Sequence, residues 1–115
     1  MSKLLFINVP GIGHVNPTLP IVAALVQRGH ELIYYNTPDF QADIEQTGAQ
    51  FRPYPAPNIS SQQLSELADN LVNITLFLFE ESYRLLPFVL AEVEREQPDV
   101  MLFDSICLWG QQRRF

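Results

Sequence analysis

Leu4-Leu5-Phe6-Ile7-Asn8-Val9-Pro10-Gly11-Ile12-Gly13-His14-Val15-Asn16-Pro17 is the stretch that decides the fold. Residues 4–9 form an apolar run of strand length, the kind that suits a parallel strand buried on both faces. Pro10 and Gly11 end it, and residues 10–15 read as a loop. Asn16-Pro17 then marks a helix start, because Asn caps free N–H groups and Pro is tolerated at the first helical position. Pro20 costs one helical bond, so Thr18 is the alternative cap. Leu19, Val22, Ala23 and Val26 recur at helical spacing and give the helix one buried face. Arg28 falls in its last turn and Gly29 stops it.

Working outward, residues 30–35 read as a second strand, with His30 as a structural residue at its start. Residues 38–46 read as a short helix ending at Gly48, and residues 50–54 as a third strand. Pro53, Pro55 and Pro57 break regular structure after it. The order is β-α-β-α-β, with links suited to right-handed crossovers in a parallel sheet. Residues 60–96 carry a helical pattern that Ser60 or Ser61 would cap, and Pro87 is expected to kink or split it. Pro98 ends that segment. Residues 99–104 read as a fourth buried strand ending in the Asp104 carboxylate. The fold class is α/β, a doubly wound parallel sheet.

Residues 105–110 look like the beginning of another helix. Residues 111–115 (Gln-Gln-Arg-Arg-Phe) form an atypical tail, read as a truncation or a reading-frame accident, with a genuine short protein as the alternative. The unpaired sheet edge after strand four predicts edge-to-edge dimerisation or aggregation.

The 115 residues suffice for one modest domain. Seven Lys+Arg against 13 Asp+Glu give a net charge of −6, which opposes nucleic acid and anionic membrane partners, both of which need a basic surface. Cys107 is the only cysteine, so an intrachain disulfide framework and a paired-cysteine zinc cluster are excluded; no metal site is expected. The N-terminal apolar run is too short for a signal peptide core, and no stretch approaches the ~20 apolar residues of a membrane span. Asn58-Ile59-Ser60 and Asn73-Ile74-Thr75 fit a glycosylation sequon but carry little weight without a secretion signal. A reducing, cytoplasmic setting is the default.

In a doubly wound sheet the first strand is central, the second and third lie on one side, and the fourth lies on the other. Ligands bind outside the carboxyl ends of strands at that switch point. His14 follows strand one and Asp104 ends strand four, so the topology brings them to one crevice. A His with a carboxylate partner is a general-base device, the carboxylate fixing the tautomer and stabilising the imidazolium. Alone, His14 reads as a loop residue bonded to backbone and Asp104 as a cap; the shared crevice favours function. Ser105 and Cys107 lack an elbow motif, so a bound hydroxyl or water is the proton source.

Gly11-Ile12-Gly13 invites a dinucleotide reading, but Asn16 stands where a third Gly belongs and Asn36 where a ribose-binding acid belongs. The glycines instead let the backbone pass close to a ligand or a helix. The helix N-terminus after His14 would attract an anionic group. Phe77, Phe79 and Phe88 cannot all face one core, so the aromatic-rich helix either lines an apolar cleft or packs as ordinary core.

Gly13-His14-Val15-Asn16-Pro17-Thr18-Leu19-Pro20 resembles the opening of the macrolide and UDP-dependent glycosyltransferases of the GT-B fold. Arg28-Gly29-His30 closing the first helix, residues 45–51 leading into Tyr54-Pro55, and Gln97-Pro98-Asp99-Val100 before Phe103-Asp104 look like the same family. The resemblance covers residues 1–110. It implies a Rossmann-like N-terminal acceptor-binding domain, incomplete here, whose C-terminal donor-binding domain is absent. It implies His14 as base on the acceptor hydroxyl and Asp104 as its partner, with inversion at the sugar carbon and no covalent intermediate. The implied donor is a UDP-sugar, with no further cofactor. Acceptors are apolar small molecules, with Ile12, Phe77, Phe79 and Phe88 as acceptor-side candidates and Gly13 and Asn16 as donor-side candidates. Half a cleft cannot align donor and acceptor, so negligible transfer is expected of the isolated chain. Two alternatives stand beside this reading: a subunit docking with a separate donor-domain chain, and a non-catalytic module holding an apolar ligand. A nucleotide-binding oxidoreductase ranks last.

Overall fold

The computed structural model describes residues 2–104. The readings of residues 105–110 as a helix start and of 111–115 as a tail therefore lie outside the described residues.

Four parallel strands, β1 (Lys3–Ile7), β2 (Glu31–Asn36), β3 (Gln50–Pro53) and β4 (Val100–Phe103), form one sheet in the order β3-β2-β1-β4. Leu5 lies opposite Ile33 on one side and Met101 on the other, and Ile7 opposite Tyr35 and Phe103. The central strands are apolar through their middles, Leu4–Ile7 and Leu32–Tyr35, because both faces are covered. Leu5, Ile7, Ile33 and Tyr35 turn to one face and pack with Leu85, Val89 and Val93. Leu4, Phe6, Leu32 and Tyr34 turn to the other and meet Val15, Val22, Phe40 and Ile44. Each large side chain so buried stabilises the fold by about 1.5–3 kcal/mol.

The first crossover runs through α1 (Ile12–Val15), a 3-10 turn (Asn16–Thr18) and α2 (Leu19–Gln27). Helical structure thus begins at Ile12, with Gly11 as the extended N-cap residue, and neither Asn16 nor Thr18 caps it. His14 lies in a helical turn rather than a loop. The second crossover is a 3-10 turn (Pro38–Phe40) followed by α3 (Gln41–Gln46). It ends at Gly48, whose φ of +92° is left-handed and where a Cβ would lie 2.8 Å from Val26 Cγ1.

The long helical segment divides, but not at Pro87. Ser60 caps α4 (Ser61–Ala68) through a capping box with Gln63, and Asn70 caps α5 (Leu71–Glu96) by accepting from the Asn73 N–H. Pro87 sits inside α5 without ending it. Its ring removes the bond to the carbonyl four residues back, that of Tyr83. Tyr83 is 82% exposed, so water can take the freed carbonyl.

The C-terminal half of α5 is fastened to the sheet by charge. Arg52 on β3 reaches Glu92 at 2.7 Å and Glu96 at 2.6 Å, and Lys3 on β1 reaches Glu96 at 2.6 Å. Arg95 also pairs with Glu92. Hydrogen bonds from Lys3 and Arg52 hold the Glu96 carboxyl down at about 2. The Tyr35 hydroxyl donates to Glu92 at 2.9 Å, and burial together with that bond pushes its pKa up.

Candidate functional site

The last registered pair between β1 and β4 is Ile7 with Phe103. The chain next reaches Asn8 on one strand and Asp104 on the other, at the carboxyl end of the sheet. One short stretch later, α1 carries His14 back over that end. Its Nδ1 lies 2.9 Å from Asp104 Oδ2. The His14 side chain is 40% exposed and that of Asp104 21%, so the contact is shielded while the imidazole stays reachable. An ionised carboxylate only accepts, so Nδ1 carries the hydrogen in this contact and Nε2 of the neutral ring is left as a base.

Beneath this turn lies a buried, uncharged network. Asn8 is 0% exposed. Its Nδ2 donates to the His14 carbonyl at 3.1 Å and to the Tyr34 hydroxyl at 2.9 Å. Its Oδ1 accepts the Val9 N–H at 2.8 Å, and its own carbonyl accepts the Tyr54 hydroxyl at 2.9 Å. The Thr18 hydroxyl donates to the Val15 carbonyl at 2.6 Å and lies 2.7 Å from the Tyr34 hydroxyl. Because Thr18 spends its hydrogen on Val15, Tyr34 is the donor between the two. Buried polar groups are costly unless paired, and in this network the pairing runs from sheet to helix turn without a formal charge.

His14 also borders a pocket of about 250 Å³. Its floor is Val9, Gly11, Ile12 and Gly13, and its far wall is α4 and the start of α5, with Leu64, Ala68, Ile74 and Leu78 supplying the apolar surface. The close approach of floor to imidazole depends on Gly11: a Cβ there would lie 3.2 Å from His14 Cδ2 and 3.6 Å from Leu64. A Cβ on Gly13 would meet nothing within 4 Å, so the space over that residue is open.

The candidate residues distribute unevenly. His14, Ile12 and Gly13 border the pocket, and Asp104 joins through His14. Asn16 is exposed on the 3-10 turn. The helix N-terminus precedes His14 rather than following it, so that anion-site reading is corrected. None of the three aromatic candidates lines this pocket. Phe77 borders a separate open groove with Pro57, Ile59 and Leu67. Phe79 is 55% exposed. Phe88 packs edge-on against Tyr35 and Tyr54 as part of the core. The wall belongs instead to a stripe on α4, residues 61, 64, 65 and 68, and to Ile74 and Leu78. Their spacings of three and four are the signal that marks one helix face. Asn36 is also accounted for: it is buried and donates to the Val9 carbonyl at 3.1 Å. Among the described residues no group of three or more His, Cys, Asp or Glu could hold a metal ion, and no helix is long and apolar enough to cross a membrane.

No protein-family profile matches the chain. Individual relatives do. The chain is 37% identical over 108 residues to the NDP-glycosyltransferase YjiC of Bacillus licheniformis, a match covering 90% of this chain and 27% of that protein. It is 26% identical over 118 residues to the demethyllactenocin mycarosyltransferase of Streptomyces fradiae, covering 95% of this chain and 26% of the relative. Among solved structures, the glycosyltransferase of kitacinnamycin superposes with a TM-score of 0.74 at 27% identity, covering 96% of this chain and 26% of that one. The calicheamicin glycosyltransferase CalG4 gives a TM-score of 0.73 at 26% identity, covering 97% and 29%. The chain spans about a quarter of the length of these proteins, and its α/β sheet matches their N-terminal domain.

Proposed function

We propose that this chain, a homologue of the NDP-sugar glycosyltransferases with the N-terminal fold of the GT-B type, is the acceptor side of an inverting sugar transfer. The observation that carries the reading is the 2.9 Å contact between His14 Nδ1 and Asp104 at the rim of an apolar pocket. An apolar acceptor lies against Leu64, Ile74 and Leu78 with its hydroxyl at His14 Nε2. As the acceptor oxygen bonds to the anomeric carbon of a UDP-hexose, the bond from that carbon to the phosphate oxygen breaks and UDP leaves with the electron pair. The hydroxyl proton passes to Nε2. Asp104 stabilises the resulting imidazolium and fixes the ring, the usual role of a carboxylate behind a histidine base. Described residues offer a base beside the pocket and no activated nucleophile, which suits direct displacement.

Residues 1–110 form the acceptor-binding part in this reading, with Gly13 and Asn16 facing the donor and residues 111–115 outside it. Contacts that align the UDP-sugar come from a second domain, in the same polypeptide or in a partner chain, against which the outer strand β4 offers an edge. Without that domain the donor is not held in line, so the 115-residue chain alone transfers negligibly. A cytoplasmic setting suits both the donor and the single cysteine.

The test is a chimera in which residues 2–104 replace the matching segment of the B. licheniformis enzyme. Glucose transfer from UDP-glucose to a phenolic acceptor is expected, and His14→Ala is expected to lower it by about 100- to 10,000-fold, the usual contribution of a positioned base. A His14→Ala chimera that keeps its turnover sinks the proposal.

A further inference from the structure

We propose that Asn8 is a positioning residue for the base: its carboxamide aims the His14 imidazole at Asp104. The inference rests on the functional reading above and goes beyond it, because Asn8 does not line the pocket and reaches His14 through its backbone carbonyl.

The turn that carries His14 is short: buried Val15 and the Asn16 N–H on the Ile12 carbonyl fix its base, and the His14 carbonyl is fixed from the sheet. α1 is four residues long, follows Gly11 and contains Gly13. Its backbone bonds include His14 N–H and Val15 N–H to the Gly11 carbonyl, both 2.9 Å. Helices are normally secured by donors from the following turn, but Pro17 has no N–H, so the Gly13 carbonyl lacks its usual donor and the His14 carbonyl has only Thr18 to look to. The Asn8 Nδ2 supplies a donor to the His14 carbonyl from the sheet instead. Asn8 is itself held rigidly. Its second amide hydrogen goes to Tyr34, its Oδ1 takes the Val9 N–H, and its carbonyl takes the Tyr54 hydroxyl. The residue beyond the β1–β4 register on the neighbouring strand is Asp104. One rigid point at the end of β1 thus sets the height of the imidazole above the strand that delivers its partner. A neutral amide does this without adding a charge beside the pair. An acid at position 8 would repel both the His14 carbonyl and the Asp104 carboxylate.

Imidazole tautomers read this directly, and the chain carries its own reference. His14 Nδ1 faces a carboxylate and carries the hydrogen, whereas His30 Nδ1 accepts the Ser2 N–H at 3.1 Å and its hydrogen is on Nε2. The two histidines therefore hold opposite neutral tautomers, distinguishable by their ring 15N shifts at alkaline pH in the 115-residue chain. Asn8→Ala is expected to shift the His14 ratio of Nδ1–H to Nε2–H severalfold toward that of free imidazole and to leave His30 unchanged. Tyr34→Phe keeps the ring and releases one amide hydrogen of Asn8; a smaller shift in the same direction is expected. This second variant decides the matter if Asn8→Ala does not fold. Asp104→Asn is measured alongside. If it moves the His14 signature while neither Asn8→Ala nor Tyr34→Phe does, the positioning role is overturned and the pair stands. If none of the three moves it, the pair itself fails, and the positioning role with it.

Discussion

Two polar clusters anchor helices to the same sheet, and they do it with opposite chemistry. Under α1, at the carboxyl end of β1, Asn8, Tyr34, Tyr54 and Thr18 form a neutral network with Asn8 wholly buried. At the far half of α5, Arg52, Lys3, Arg95, Glu92 and Glu96 form an ionic one. Both hold position, but only the first lies beneath the imidazole and carboxylate proposed above to handle a proton. Uncompensated charges there would bias the proton; charges at the end of α5 are remote from it and can be used for attachment. The difference teaches that the same sheet can fasten helices with or without formal charge, and that in the proposed reading the charge-free fastening lies under the proton-handling pair.

The contrast can be broken at several points. Arg52→Met is expected to cost most, about 3 kcal/mol in urea unfolding, the low end for breaking a buried pair, because the nearly buried Glu92 keeps Arg95 and the Tyr35 hydroxyl. A loss below 1 kcal/mol would mean the ionic cluster is decoration. Tyr34→Phe should cost less, about 1–3 kcal/mol, the usual penalty for leaving buried partners unpaired, here Thr18 and one hydrogen of Asn8. Urea unfolding at pH 7 reads it, and an unchanged midpoint would show that the network adds nothing to stability. Gly11→Ala should alter global stability by about 1 kcal/mol or less, with the added methyl pressing on His14 Cδ2 at 3.2 Å. Its readout is local: the His14 ring resonances should move while those of His30 stay. The last effect, present in full at neutral pH and trimmed by solvent screening, concerns Glu96. Its folded pKa is depressed from 4.5 to about 2, so its contribution is complete above about 4.5 and is lost as pH falls through about 2. Glu96→Gln should flatten the acid limb of stability in that window and leave the His14 signature untouched.

Much of this arrangement is legible in the residues. The strand order follows from short crossovers between apolar runs, and the placing of His14 and Asp104 at one crevice follows from that order. What the residues hide has identifiable causes. Asn8 reads as one polar interruption in a buried strand, because its partners at positions 14, 34 and 54 come from other elements. Aromatic bulk suggested Phe88 for the pocket, yet bulk equally suits a core, and Phe88 closes against Tyr35 and Tyr54. Pro87 signalled a break that did not come, because the carbonyl it strands belongs to exposed Tyr83 and water can serve it.

Local chemistry therefore determined the elements and their order: apolar runs must be buried on two faces, short links must cross over, and Gly and Asn stop or cap what precedes or follows them. Tertiary structure alone decided which polar atoms meet, because hydrogen bonds act over about 3 Å and no spacing along a chain can specify that distance between strands. The His14 turn, the amide that steadies it and the helix stripe that walls the pocket belong to that second class.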